Sequence, residues 1–186
     1  PMLEIYNGRP DDCSDRAARE VCVYDLLDTL GVRFERLDHA PAMTMEVCKE
    51  IDAAFGRMSL KEFQDQPRGE RSCHAIVCKN LFLCNRQRTK FYLLMMPGDK
   101  KFLTKNLSAH INSARLSFAG AEDMLRYLDV LPGSVSVMGL MNDDDNVVQL
   151  LIDRDVLQSD FVGCHPCANT SSLRMRVSDL MDIVLP

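Results

Sequence analysis

The spacing of apolar and polar residues divides this chain into short helices and strands with no regular alternation. Residues Cys22, Val23, Leu26, Leu27 and Leu30 fall on one face of a helix that Ser14 can cap and Gly31 can end. A strand follows over 32–37, then a turn at His39-Ala40-Pro41. A second helix starts at a Thr44 cap and buries Met45, Cys48, Ile51 and Phe55. Residues 56–72 are polar and charged, with Pro67 and Gly69, and read as an exposed loop. Strands over 75–84 and 90–96 flank a hairpin at 85–89, and Pro97-Gly98-Asp99 closes the pair. Helices are predicted near 104–112 and 121–128, and strands over 134–140 and 147–152. A last strand through Leu173, Met175 and Val177 leads into a short helix that Ser178 can cap. This order favours an α+β fold, a mixed β-sheet flanked by helices, with the core from about residue 20 and one domain over 1–186.

Composition narrows the class. With 46% apolar residues over 186 positions the chain can bury a real core. The most apolar run, 130–141, is broken by Pro132 and two glycines and is shorter than the roughly 20 residues a bilayer needs. No basic segment followed by an apolar one opens the chain, so a cytoplasmic protein is expected. Most of the eight cysteines, Cys22, Cys48, Cys78 and Cys84 among them, sit in apolar patterns and read as reduced core thiols.

The net charge is −5, which argues against a protein that coats nucleic acid indiscriminately. Residues 79–105 nevertheless carry +6, leaving −11 for the remainder. Arg86, Arg88 and Lys90 lie at the centre of that stretch. They suit contact with one end of a polyanion, or else a solvated hairpin edge.

Three places could carry chemistry. Lys79-Asn80 interrupts an apolar strand, and because adjacent strand residues face opposite sides, one of the two should point inward. His165 sits in a rigid turn between Gly163 and Pro166, with Asn169-Thr170 leading into the next strand. Such a histidine can orient a substrate or share a proton near neutral pH, or it is an ordinary turn residue. Gly133, Ser134, Val135, Ser136 and Val137 form a segment whose backbone N–H groups can approach a carbonyl or phosphate oxygen. Cys164-x-x-Cys167 admits a redox reading, or a zinc reading with Cys73, His74 or Cys78. The strand after it and the loose Cys73–Cys78 spacing fit neither well. The Asp143-Asp144-Asp145 run is explained by a polar turn.

These places, in this order, resemble the YbaK/ProX family of tRNA editing domains, related to the insertion domain of bacterial prolyl-tRNA synthetases. The resemblance runs from Tyr24 to the C-terminus. It rests on Cys78-Lys79-Asn80-Leu81-Phe82-Leu83, Phe91-Tyr92-Leu93-Leu94-Met95-Met96-Pro97-Gly98-Asp99, Arg115-Leu116-Ser117-Phe118-Ala119, Pro132-Gly133-Ser134-Val135, Gly139-Leu140-Met141-Asn142-Asp143 and His165-Pro166 with Asn169-Thr170. Within the family, the Lys-Asn-Leu-Phe-Leu form is that of the ProX branch. The resemblance implies a curled mixed sheet and hydrolysis, without cofactor or metal, of alanine wrongly esterified to proline tRNA. It implies that Lys79, Asn80 and His165 serve the reaction, and that 133–137, Gly163, Asn169 and Thr44 line the same cleft. The implied partner is mischarged tRNA(Pro), with prolyl-tRNA synthetase or an elongation factor met in passing, and neither DNA nor membrane. One departure stands out: the family's Gly-x-x-x-Pro loop has Val137 in place of proline, which leaves open a deacylase of tRNA mischarged with cysteine or serine, or a non-catalytic tRNA-binding member of the fold.

Overall fold

A computed structural model describes residues 3–42, 44–71 and 74–186. It holds ten strands in two mixed sheets, with helices on their outer faces. Strands β1 (Ile5–Asn7), β2 (Phe34–Asp38), β3 (Arg57–Met58), β4 (Ala75–Ile76), β9 (Phe161–Cys164) and β10 (Ser171–Arg176) form one sheet, in the order β1-β2-β10-β9-β4-β3. Strands β5 (Cys78–Asn85), β6 (Phe91–Pro97), β7 (Leu116–Phe118) and β8 (Val148–Ile152) form the other, ordered β7-β5-β6-β8. The α+β class with a mixed sheet is as expected, except that the sheet is split in two.

The split lies at Val77. The expected strand over 75–84 is continuous in sequence, but Ala75 and Ile76 pair parallel with β3, whereas Cys78 onward pairs antiparallel with β6. Val77 donates its N–H to Met58 and accepts from Gly98, so it belongs to both sheets' edges.

The main core lies between the sheets. Phe82, Leu93 and Met95 from one sheet meet Val162, Cys164, Leu173 and Met175 from the other, with Val23, Tyr24 and Leu27 of α1 (Ala18–Thr29) packed in. Alternation along each strand sends the other residues outward. Leu83, Tyr92, Leu94 and Met96 meet α4 (Thr104–His110) on one outer face. Leu37 meets Ile51 and Phe55 of α2 (Met45–Phe55) on the other.

Several local expectations change. Helix α1 begins at Ala18 and not at Ser14, whose own N–H is taken by Asp12 at 2.9 Å. Cys22, Leu30, Met45 and Cys48 are exposed, because each helix presents a narrower stripe to its sheet than its apolar positions suggest. The loop expected over 56–72 contains β3 and α3 (Leu60–Asp65), which buries Leu60 and Phe63 under a Ser59–Glu62 capping box. Its low apolar density hid one helical turn and a half. Residues 137–142 form a 3₁₀-helix and not a strand, started by Ser136, whose hydroxyl accepts from Met138 N–H at 3.1 Å. The last helix, α6 (Val177–Asp179, continuing over Leu180–Val184), starts before Ser178 and uses no side-chain cap. Helix α5 (Ala121–Asp123, continuing over Met124–Leu128) lies where expected.

Helix α5 and the 3₁₀-helix touch at Gly139, where an added Cβ would lie 2.9 Å from Leu128 Cβ and 3.0 Å from its carbonyl oxygen. Gly139→Ala is therefore expected to lower stability by about 1–3 kcal/mol, the cost of overpacking, in urea unfolding followed by circular dichroism.

Candidate active site

Residues on one face of the six-stranded sheet build the site. In β9, alternation puts Phe161, Gly163 and His165 on the same side, the side that α2 covers. His165 follows the strand's last residue, and its Nδ1 lies 2.8 Å from Ser171 O. A carbonyl only accepts, so Nδ1 carries the proton and Nε2 of the neutral ring is the lone-pair nitrogen. Burial lowers the pKa of His165 below the ordinary value. The nearby charges of His39 and Arg57 act in the same direction, against the Ser171 carbonyl. The ring is thus held neutral at pH 7.

The segment 131–137 is anchored to the same histidine. Pro132-Gly133 makes a tight turn closed by Ser134 N–H on Leu131 O, and Gly133 takes φ +88°, the left-handed conformation such a turn requires. Ser136 Oγ donates to His165 O at 2.5 Å while accepting from Met138. Ser134, Ser136 and Val137 are buried and Val135 is half-buried. Val137 packs in the main core at the first position of the 3₁₀-helix, where proline is also tolerated. The exchange at 137 therefore changes core filling, and Ser136 holds the loop.

The turn at 39–44 comes alongside. Ala42 N–H donates to Asn169 O and His39 N–H to Thr170 O. Thr44 caps α2, accepting from Val47 N–H at 3.3 Å, and is exposed. His39 lies 6.3 Å from His165, ring to ring, and its Nε2 meets Ser172 Oγ at 2.9 Å.

Asn80 and Lys79 diverge. Asn80 faces the main core on the same side of β5 as Cys78 and Phe82, and its Oδ1 is buried without a hydrogen-bond partner. Lys79 leaves β5 on the opposite face, with Leu81 and Leu83, and its ammonium donates to Lys100 O at 2.5 Å. The structure therefore gathers His165, Gly163, Asn169 and 133–137, and it sets Lys79 apart from them on the other side of β5.

Sequence reasoning missed Arg57 and His39. Arg57 lay in the supposed loop. Its guanidinium is mostly buried, pairs with Asp52 at 2.9 Å, and crosses Gly163 so closely that a Cβ there would sit 2.8 Å from Nη1. Burial raises the Asp52 pKa against the pull of Arg57. No spacing rule flags an arginine that follows a helix cap, but the glycine two residues before His165 marked its close approach.

The cysteines are free among the described residues. Burial pushes the thiols of Cys78, Cys164 and Cys167 up to about 12, so none offers a thiolate for exchange. No cluster of metal-binding side chains occurs among the described residues, and Cys73 lies outside them. Asp143 accepts from Val147 and Val148 N–H, closing its turn.

The basic hairpin is divided. Asn85 organises it, accepting from Thr89 and Lys90 N–H. Arg86 and Lys90 are exposed. Arg88 takes φ +54° and grips buried Asp123 with two bonds, at 2.9 and 2.7 Å, so its charge is already matched. With its side chain still half exposed, Arg88 would have to share any phosphate contact with Asp123.

A family model for an aminoacyl-tRNA editing domain matches residues 67–183. The chain is 29% identical over 158 residues to the prolyl-tRNA editing protein ProX of Acetoanaerobium sticklandii, covering 85% of each. Among solved structures, a hypothetical protein superposes with TM-score 0.62 at 16% identity, over 88% of this chain and 92% of that one. A candidate trans-editing enzyme for prolyl-tRNA synthetase also gives 0.62, at 14% identity, over 89% and 90%. At those identities the likeness is one of fold.

The two roles in the hairpin separate by mutation. Arg88→Glu is expected to lower the thermal midpoint clearly, because it leaves Asp123 buried opposite a like charge. Arg86→Glu should leave the thermal midpoint within a degree or so, being an exposed change. Differential scanning fluorimetry of both variants checks this.

Proposed function

Because this chain belongs to the aminoacyl-tRNA editing domain family, we propose that it acts in trans as a deacylase, hydrolysing alanine mischarged on tRNA(Pro). The whole chain works as one editing domain, with mischarged tRNA(Pro) as its partner. No helix among the described residues is long and apolar enough to cross a membrane. We place its work in the cytoplasm, where tRNA is charged.

The observation that carries the reading is the state of His165. A neutral ring with Nδ1–H held by Ser171 O offers Nε2 as an acceptor. Such a group can hold the substrate's α-ammonium or a ribose hydroxyl beside the ester, and take a proton from attacking water. Water adds to the ester carbonyl, the carbon–oxygen bond to the ribose breaks, and the ribose oxygen leaves with a proton. The Asn80 amide, whose oxygen has no protein partner, suits the aminoacyl group. Lys79, on the far face of β5 from His165, gives one of its three N–H donors to Lys100 O, and the other two suit a phosphate oxygen of the tRNA away from the ester.

Four measurements test the proposal. A panel of tRNA(Pro) charged with alanine, serine and cysteine should show alanine released fastest, and equal rates for all three would sink the specificity. His165→Ala should cut turnover about a hundredfold or more, the scale of a lost proton acceptor. Because the neutral ring is the active form and its pKa is lowered, the wild-type rate should hold flat below pH 6.5 before falling. A drop beginning above pH 6.5 would contradict the geometry. Lys79→Ala, far from His165, should leave turnover at saturating substrate near native with an unchanged melting curve and act on tRNA affinity alone, whereas a loss of about a hundredfold in turnover would bring Lys79 to the ester.

A further inference from the structure

The bond from His165 Nδ1–H to Ser171 O fixes a tautomer and a distance, but it does not fix a plane. A ring held at one nitrogen can still swing about that bond, and swinging re-aims Nε2. The second restraint is another imidazole. The His39 ring lies 6.3 Å from that of His165, centre to centre, and is tilted by 57°, which is the arrangement of two rings in edge-to-face contact. His39 is itself anchored. Backbone bonds tie its turn to the segment before β10, His39 N–H to Thr170 O at 3.0 Å and Ala42 N–H to Asn169 O at 2.9 Å. Its Nδ1 lies 2.7 Å from Ala40 O and its Nε2 lies 2.9 Å from Ser172 Oγ. A carbonyl only accepts, so Nδ1 carries the proton and Nε2 accepts from the Ser172 hydroxyl. Ser172 is 2% exposed, so that hydroxyl is not free to turn to solvent. Both nitrogens of His39 are therefore used within the protein. In that state the residue has no lone pair for attacking water and no free proton for a leaving group.

We infer that His39 is a positioning residue for the deacylase, whose ring fixes the plane of His165 and with it the aim of Nε2. The inference rests on the reading of His165 as the proton acceptor, but part of its test needs no turnover. The same contact gives His39 an electrostatic effect. Among the described residues, the charges that act on His165 are those of His39, from the turn after β2, and Arg57, from β3. Arg57 is paired with Asp52 of α2 at 2.9 Å, and the neighbours from β10 and the 131–137 segment, Ser171 and Ser136, bring no charge. A proton on His39 would therefore set a cation against the ring of His165 and oppose a second proton there.

Two variants separate the ring of His39 from its nitrogens. His39→Phe keeps a ring against His165 and removes the nitrogens and the charge, whereas His39→Ala removes all three. Long-range proton–nitrogen correlation spectra of nitrogen-labelled protein report the tautomer of each imidazole with no substrate present. At mildly alkaline pH they should show His39 and His165 both as Nδ1–H in the unmodified protein. His165 should keep that tautomer in the Phe variant and become a mixture of both in the Ala variant. With alanyl-tRNA(Pro), the Ala variant should lose about tenfold in kcat while KM changes less than about twofold, and the Phe variant should recover most of the loss. The acid limb of the Phe variant's rate should move to higher pH, because a cation that lowered the His165 pKa is gone while the burial remains. A merely structural role would move neither the tautomer nor the acid limb. Equal losses of kcat in the two variants would make the nitrogens of His39 the part that matters and overturn the inference. So would an unchanged His165 spectrum in an Ala variant that melts normally. Where the Ala variant does not fold, the Phe variant decides alone, and loss of the Nδ1–H tautomer there would count against the ring. A protein that releases no alanine, yet loses the His165 tautomer in the Ala variant, would leave the positioning role standing while the deacylase reading failed.

Discussion

A buried polar cluster around Ser171 holds the site together. Arg16 donates to Glu20 at 2.7 Å and to both oxygens of Asp38, at 3.0 and 2.9 Å, and Arg36 reaches Asp38 at 2.6 Å. Tyr24 donates to Glu20 at 2.6 Å. The Ser171 hydroxyl lies 3.0 Å from Glu20 and 2.8 Å from Asp38, and it accepts from Arg16 at 3.2 Å. Two cations face two anions here, so the cluster is neutral as a whole. Burial would raise the Asp38 pKa, yet the hydrogen bonds from Arg16 and Ser171 and the charge of Arg36 hold it below the ordinary value. Removing one partner from such a set leaves a desolvated charge behind and costs about 3–5 kcal/mol.

The cluster's importance lies in what Ser171 does with its other end. Its hydroxyl is fixed by α1 and β2, and its carbonyl receives the Nδ1–H of His165. The tautomer of the histidine is therefore set by an ion cluster the ring does not touch. A residue held in this indirect way loses little freedom when substrate arrives, which is what preorganisation requires. Ser136 acts on the other side of the same residue, tying the 133–137 segment to the His165 carbonyl. His165 is thus held at ring and backbone by two serines from different sheet and loop elements.

The sequence made much of this legible, and the failures have physical causes. Helix α2 with its Thr44 cap and Gly56 end, the β5–β6 hairpin and β8 follow from local chemistry: a cap, a left-handed glycine and alternation. The three chemical places were visible for the same reason, since a polar pair inside an apolar strand or a histidine between glycine and proline contradicts its surroundings. What local chemistry cannot show is which sheet a strand joins. Residues 75–84 read as one strand because every residue suits a strand, and only the hydrogen bonds of Val77 reveal that the chain changes partner there. Arg57 was hidden because its value comes from a neighbour more than a hundred positions away, Gly163, whose missing side chain makes room for it. Arg88 was misjudged because a charge counts as free only until its partner is known, and Asp123 is brought to it by tertiary packing.

The same logic bears on how an acidic protein handles a polyanion. Many of its arginines are neutralised where they stand, Arg16 and Arg36 by Asp38, Arg57 by Asp52, Arg88 by Asp123. These pairs fix elements to one another and contribute little field beyond a few ångströms, because opposite charges at contact cancel at a distance. The remaining field belongs to exposed cations such as Arg33, Arg176, Arg86 and Lys90, which lie on separate faces. On a net-negative body these exposed cations make small positive patches, and a polyanion approaches most easily there. Where the chain can meet a polyanion thus follows from which arginines tertiary packing leaves without an acid, more than from how many arginines it contains.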